Sequence, residues 1–262
     1  MTLIVGIVCS DGVVLAADSA STDAEAQTKQ VYQKIRRLGT HRVLYGGSGD
    51  VGLLQKIDDS LAGCPGRDRI RRWRQELKGR IVPEQREAVQ VHAPYPAQGF
   101  HAPPAAILLF AGICEGQPFL LEVEKDGRDT VYDAGMGHFV AIGSGKPWAQ
   151  ALFRPYLFTP RDLELGTIFA YRVLEDAIDL ASANLARPIH IWRMPVAGEP
   201  SQVSEEEMDQ KLKNVVNIWR SMEADTVGRL RQQPEPAGPT AEIPTAPTPA
   251  GPPGAAPGPT AS

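Results

Sequence analysis

The stretch from Met1 to Ser19 constrains the fold more than any other. Thr2-Leu3-Ile4-Val5-Gly6-Ile7-Val8 and Val13-Val14-Leu15-Ala16-Ala17 are short apolar runs rich in β-branched residues, joined across Ser10-Asp11-Gly12. Apolar runs of strand length separated by an Asp-Gly pair read as a β-hairpin. The turn needs positive φ at its centre, which glycine adopts without steric cost.

The hairpin begins too early to leave room for a signal peptide, and only Met1 precedes Thr2. Removal of Met1, the usual fate of methionine before a small residue, leaves Thr2 with a free α-amine beside its own hydroxyl. Such a residue contains both nucleophile and base: the hydroxyl is weak alone, and the amine accepts its proton directly or through a water. An α-amine titrates at about 7.7–8.0, so a modest downward shift makes it basic and neutral near pH 7. A nearby buried cation supplies that shift, because a like charge disfavours the charged amine. Lys34 is the candidate cation, and Asp18, at the end of the second run, is its candidate counter-charge.

Thr2-Leu3-Ile4-Val5-Gly6-Ile7, followed by Asp11-Gly12-Val13-Val14-Leu15-Ala16-Ala17-Asp18-Ser19-Ala20-Ser21-Thr22, resembles the start of a proteasome β-type subunit, one of the N-terminal nucleophile (Ntn) hydrolases. The match continues through Gln33-Lys34-Ile35, Leu44-Tyr45-Gly46-Gly47-Ser48-Gly49-Asp50 and Ala141-Ile142-Gly143-Ser144-Gly145, and covers roughly residues 2–195. The resemblance implies Thr2 as nucleophile, Asp18 and Lys34 as its charge partners, the Gly47 N–H as an oxyanion donor, and Ser144 as support for amine and water. It also implies that Thr22 pairs with substrate backbone, and that Ser21, Tyr32 and Tyr45 line the primary substrate pocket. The family usually carries an acid and a serine after its long helix. Here Ala183-Asn184-Leu185-Ala186-Arg187-Pro188-Ile189-His190-Ile191 has neither, and this region looks closer to the bacterial HslV-like branch.

The implied activity is that of a self-compartmentalising threonine endopeptidase, hydrolysing peptide bonds through an acyl-enzyme inside a homo-oligomeric, stacked double ring in the cytoplasm. An ATPase partner is a possibility that the family raises. Two other readings stay open: a small-molecule Ntn amidase of lower oligomeric order, and a catalytically weak structural ring subunit.

Other function classes find little support. A net charge of −4 and a pI near 5.8 argue against a nucleic-acid or anionic-membrane surface. No apolar run approaches the length of a bilayer span. Cys9, Cys64 and Cys114 lack metal spacing and read as core thiols of a reducing compartment. His92 and His101 have no carboxylate or cysteine placed to complete a metal site. Gly46-Gly47-Ser48-Gly49 is followed by no P-loop lysine, and its N–H groups suit an oxyanion better than a nucleotide. No metal and no cofactor are expected.

The rest of the chain predicts strands near 31–38 and 42–45. The glycines then form a turn opening a helix with Val51, Leu54, Ile57 and Leu61 on its apolar face. The Arg- and Lys-dense stretch 67–86 keeps Ile70, Trp73 and Leu77 at helical spacing, and reads as a solvated amphipathic helix. An extended loop over 92–104 follows. Strands are predicted at 105–111, 118–123, 130–134 and 139–142, then a helix from Pro147. A longer helix, with Thr159 as N-cap and Pro160 at its first position, runs to about Leu185, and a strand over 187–194 closes the pattern. This order, strands and helix pairs alternating, gives an α+β fold: a four-layer αββα sandwich of two antiparallel sheets between helix layers. The expected domains are 1–200 for the Ntn-hydrolase unit, 201–232 for an amphipathic helix opened by the Ser204–Glu207 capping box, and 233–262 for a disordered Pro/Ala-rich tail.

Overall fold

The computed structural model of the chain describes residues 2–22, 29–39, 41–65, 69–92, 104–133, 138–157, 161–180 and 185–232. The predicted hairpin is β1 (Ile4–Cys9) and β2 (Gly12–Ala17), paired antiparallel with Ile4 opposite Ala17 and Cys9 opposite Gly12. Every residue of both strands is buried. The reason is that both faces of the hairpin are covered. Ile4, Val8, Val13, Leu15 and Ala17 point into a core between two sheets. Ile7, Cys9 and Val14 face the other way and meet Gly166 of the long helix α4 (Leu163–Leu180). A run apolar at every position, rather than alternating, is what two covered faces require.

The chain continues with β3 (Ala20–Thr22), β4 (Lys29–Val31), β5 (Ile35–Arg37) and β6 (Val43–Gly49), then the helices α1 (Val51–Leu61) and α2 (Ile70–His92). Next come β7 (Ala106–Cys114), β8 (Gln117–Val123), β9 (Asp129–Tyr132) and β10 (Phe139–Ile142), then α3 (Lys146–Phe153) and α4. Strands β11 (His190–Pro195) and β12 (Ser201–Gln202) follow. One five-stranded sheet has the order β10-β1-β2-β11-β12, the other β5-β6-β7-β8-β9, and β3 and β4 form a separate ribbon. All pairings are antiparallel.

Leu44, Leu109, Ala111 and Leu120 of the second sheet meet the hairpin in the inter-sheet core. Its outer face carries Val43, Tyr45, Phe110 and Phe119, which pack with Leu53 and Ile57 of α1 and Trp73, Leu77 and Ile81 of α2. On the far side of the first sheet the Phe139 and Phe153 rings stack at 3.9 Å, and Phe153 meets Phe169 of α4 edge-on at 5.7 Å. The expected αββα layering is therefore present.

Several boundaries differ from expectation. The predicted strand over 31–38 is divided between β4 and β5. The glycines are not a turn but the end of β6, with Gly46 opposite Leu109 and Gly47 opposite Leu108. Only Asp50 caps the helix, its Oδ1 accepting from Leu53 N at 2.8 Å. The core stripe of α1 is Leu53, Ile57 and Leu61, so Val51 and Leu54 fall off it.

Among the described residues the first compact unit runs to Ile218, and a second begins at Trp219. Val203, Met208, Leu212 and Val216 are all buried, which holds α5 (Glu205–Glu207) and the start of α6 (Lys213–Gln232) within the first unit. The predicted capping box is partly formed, since Ser204 Oγ accepts from Glu207 N at 3.1 Å. Thr159-Pro160, the loop 93–103 and the tail 233–262 lie outside the described residues.

Leu120 is fully buried between the sheets. Leu120→Ala is expected to destabilise the fold by about 2–5 kcal/mol through lost burial and a residual cavity. Urea denaturation measures this as a lower midpoint at unchanged slope.

Candidate active site

Asp18 follows β2 directly, fully buried, and its carboxylate organises the start of the chain. Oδ1 accepts from Leu3 N at 2.8 Å and from Lys34 Nζ at 2.6 Å, while Oδ2 accepts from Ala20 N at 2.9 Å. Asp18 N in turn donates to Leu3 O at 3.1 Å. The residue after Thr2 is thus tied to Asp18 twice, which fixes where Thr2 stands. Lys34, just ahead of β5, is buried with 7% of its surface exposed. Burial lowers its pKa from the ordinary lysine value, against the opposing pull of the Asp18 charge.

Thr2 is held from its other side by the turn after β10. Thr2 N donates to Ser144 Oγ at 3.2 Å, and Gly145 N donates to Thr2 O at 3.1 Å. Gly143 has φ +93°, and a Cβ there would stand 2.2 Å from Thr2 O, so only glycine lets the turn approach this closely. The turn is anchored by Lys146, whose Nζ reaches the buried Glu122 carboxylate of β8 at 3.2 Å; Glu122 also accepts from the Tyr132 hydroxyl at 3.0 Å.

Thr2, Lys34, Ser144 and Gly47 open onto one cleft of about 280 Å³. Four of the expected residues are therefore brought together, with Asp18 directly behind Lys34. Tyr32 lines the same cleft. Ser21 and Thr22 lie on β3, opposite Gln30 and Lys29 of β4, beside Ala20, which also lines the cleft.

Tyr45, expected to line the pocket, does not. Its ring stacks on Phe110 at 5.6 Å and its hydroxyl donates to Asp58 Oδ1 at 3.0 Å, so it is buried under α1 rather than lining the cleft. Strand alternation explains this: Tyr45 shares the helix-facing side of β6 with Val43 and belongs to the core there.

Ser48, Gly49, Val51 and Leu54 line the cleft and were not singled out from the sequence. Helical spacing placed Val51 and Leu54 on the apolar face of α1 with Ile57 and Leu61, so nothing in the sequence marked them as lining a cleft. Glu122 carried no signal beyond a lone acid in an apolar strand. The segment after α4 meets the site through its backbone, since the Ala186 carbonyl accepts from Ser19 N at 3.0 Å and from Ser19 Oγ at 3.2 Å.

Among the described residues no group of His, Cys, Asp and Glu is placed to hold a metal ion. The three cysteines are buried, and burial pushes the Cys9 thiol up to about 12, the opposite of what a thiolate nucleophile needs. No helix among the described residues is long and apolar enough to cross a membrane. A hydroxyl beside a buried, charge-compensated lysine, with a second hydroxyl on the same residue's nitrogen, suits nucleophilic acyl transfer.

The sequence model of a family described as proteasome subunit matches residues 2–187. A curated relative, proteasome subunit alpha 2 of Haloarcula marismortui, is 26% identical over 189 residues, covering 71% of this chain and 73% of its own. Solved structures of similar fold include a helical assembly of the Anbu complex from Pseudomonas aeruginosa, with TM-score 0.69, 15% identity, and 89% of this chain and 98% of that one covered. Anbu from Yersinia bercovieri, described as an ancestral beta-subunit, aligns with TM-score 0.66 and 13% identity over 88% of this chain and 98% of its own. An Anbu Gly-1 mutant from Hyphomicrobium sp. strain MC1 aligns with TM-score 0.64 and 16% identity, over 90% and 99%.

Asp18→Asn leaves the Lys34 charge buried without its counter-ion, so the fold is expected to lose roughly 3–5 kcal/mol. Adding Lys34→Met to that variant removes the stranded charge and is expected to recover most of the loss. Denaturant midpoints at pH 7 for the single and double variants check both statements.

Proposed function

The chain belongs to the proteasome subunit family, and from that premise we propose that it is a threonine-type peptidase whose nucleophile is Thr2 after removal of Met1. The observation that carries this reading is the convergence of Thr2, Lys34 and Ser144 on one cleft, with the Asp18 carboxylate 2.6 Å from the Lys34 ammonium.

The Thr2 hydroxyl oxygen attacks the substrate carbonyl carbon, and its proton passes to the Thr2 α-amine, directly or through a water held by Ser144. The Lys34 charge keeps that amine neutral and basic. The oxyanion of the tetrahedral intermediate forms on the side of Gly47, whose N–H donates to it. The α-amine then protonates the departing amine, leaving an ester on Thr2. A water, deprotonated by the same amine, releases the acid and restores Thr2. No cofactor is required, because every proton in the cycle is given and taken by the one amine.

We place the chain in a β-type, HslV-like branch, because a complete set of nucleophile, lysine and aspartate has a use only in a catalytic subunit. In a structural ring subunit the Asp18 carboxylate would still align the segments bonded to it, but a buried cation on the cleft of Thr2 would have no chemical use. A small-molecule amidase uses the same chemistry and differs in assembly. We further propose a polypeptide substrate and a homo-oligomeric assembly in the cytoplasm, a closed ring stacked as a double ring, with an ATPase as possible partner. The Pseudomonas aeruginosa neighbour is described as a helical assembly. Head-to-tail interfaces give rings when the rotation closes and filaments when it does not, so ring closure is the property in question here.

Thr2→Ala is expected to abolish peptide hydrolysis while the fold survives. Lys34→Ala is expected to lower kcat/KM on the order of 10²-fold or more. Wild-type activity rises with pH as the α-amine loses its proton, below its ordinary range of about 7.7–8.0. It falls again as Lys34 loses its charge, at a pH below the ordinary lysine value of about 10.4, because burial lowers that pKa. Steady-state hydrolysis of a peptide anilide across pH measures both limbs, and near-normal turnover by Lys34→Ala would remove its proposed role.

A further inference from the structure

Two apolar residues of α1 are left partly open to solvent: Val51 stands outside the core beneath the helix, and Leu54 packs only against its edge. Val51 is 50% exposed and Leu54 is half-buried, while Leu53, Ile57 and Leu61 beside them are sealed against α2 and the second sheet. Both stray residues line the cleft that contains Thr2. Exposed apolar side chains gathered on a cleft wall mark a surface that is covered when a ligand binds.

Leu54 holds a defined place on that wall. A Cβ at Gly47 would stand 2.3 Å from Leu54 Cδ2, so the space a side chain would take at Gly47 is occupied by the Leu54 methyl instead. The leucine therefore lies against the backbone that faces the reacting carbonyl. Ala20 and Tyr32 also line the cleft. The cation in its lining, Lys34, is already bound by Asp18. A charged substituent entering here would lose its water and meet no uncommitted counter-charge. The volume of about 280 Å³ must also accept substrate backbone, and it lies at the small end of ligand pockets, which span roughly 300–1,000 Å³.

We propose that the cleft receives an uncharged aliphatic side chain on the acyl side of the scissile bond, and that Leu54 sets its size. This rests on the reading of Thr2 as nucleophile for its direction along the substrate. Leu54 takes the place that Tyr45 was expected to hold: the strand residue is committed to the core and to Asp58, and the helix residue gauges the pocket.

The test uses acetyl-Ala-Ala-X anilides for hydrolysis and the corresponding free acids for binding by calorimetry, with X as Val, Leu, Phe, Asp or Lys. Leu and Val are expected to exceed Phe, Asp and Lys by roughly 10-fold or more in kcat/KM, the scale of a few methylenes in an apolar pocket. Leu54→Ala should raise the Phe-to-Leu ratio about tenfold, Leu54→Val should raise it less, and Leu54→Phe should turn preference towards Val. Because Leu54 is half-buried at the cleft, these variants need not lose the fold, and the Val variant preserves most of the packing. A preference for Asp or Lys, or a Phe-to-Leu ratio indifferent to Leu54, would overturn the proposal. If the anilides are not cleaved but the acids bind in this order and shift with Leu54, the subsite stands and the peptidase reading fails. If the acids bind without that order, the subsite fails.

Discussion

The ion pair between Asp18 and Lys34 is the interaction on which the rest of the site depends. Two charges are taken out of water there, and a buried pair of this kind adds little net stability over apolar residues of the same volume. What it does add is position. The Asp18 carboxylate also accepts from Leu3 and Ala20, so a single group aligns the start of β1, the entry to the β3–β4 ribbon and the lysine ahead of β5. Those three segments belong to different sheets or ribbons, and the cleft is the space they leave between them.

The sandwich makes that arrangement possible by keeping its first hairpin rigid. With β1 and β2 covered by a second sheet on one face and by α4 on the other, the hairpin has no freedom to shift register. Thr2, two residues before β1 begins, is then held from one side through Leu3, which is bonded to Asp18, and from the other by the Gly143-Ser144-Gly145 turn. The turn is tied in its own right to Glu122 of the second sheet through Lys146. A chain end is ordinarily the loosest part of a domain. Here it is clamped by both sheets, which is the preorganisation that a nucleophile needs.

Much of this was legible in the residues. The hairpin and the αββα order follow from local patterns whose meaning survives folding, apolar runs and an Asp-Gly turn, while the grouping of Thr2, Lys34, Gly47 and Ser144 was implied by the family resemblance of the motifs that carry them. The parts that were not legible depend on which face a residue takes within a long-range pairing. Extending β6 through Gly46-Gly47-Ser48-Gly49 places Tyr45 under α1, and a sequence rich in glycine gives no hint that a strand continues. Likewise Val51 and Leu54 keep helical spacing with Ile57 and Leu61, so a period count alone assigns them to the core. Only the cleft distinguishes them. The burial of Met208, Leu212 and Val216 was hidden for a similar reason, because it depends on residues far from them in the chain.

The central claim is that Thr2 acts with its own free amine. Intact-mass analysis after reaction with a peptide epoxyketone tests it most directly, because that electrophile engages a hydroxyl and a neighbouring amine together. The account predicts a chain lacking Met1, carrying one adduct that maps to Thr2 and is absent from Thr2→Ala. An active chain that retains Met1, or an adduct on any other residue, would contradict it.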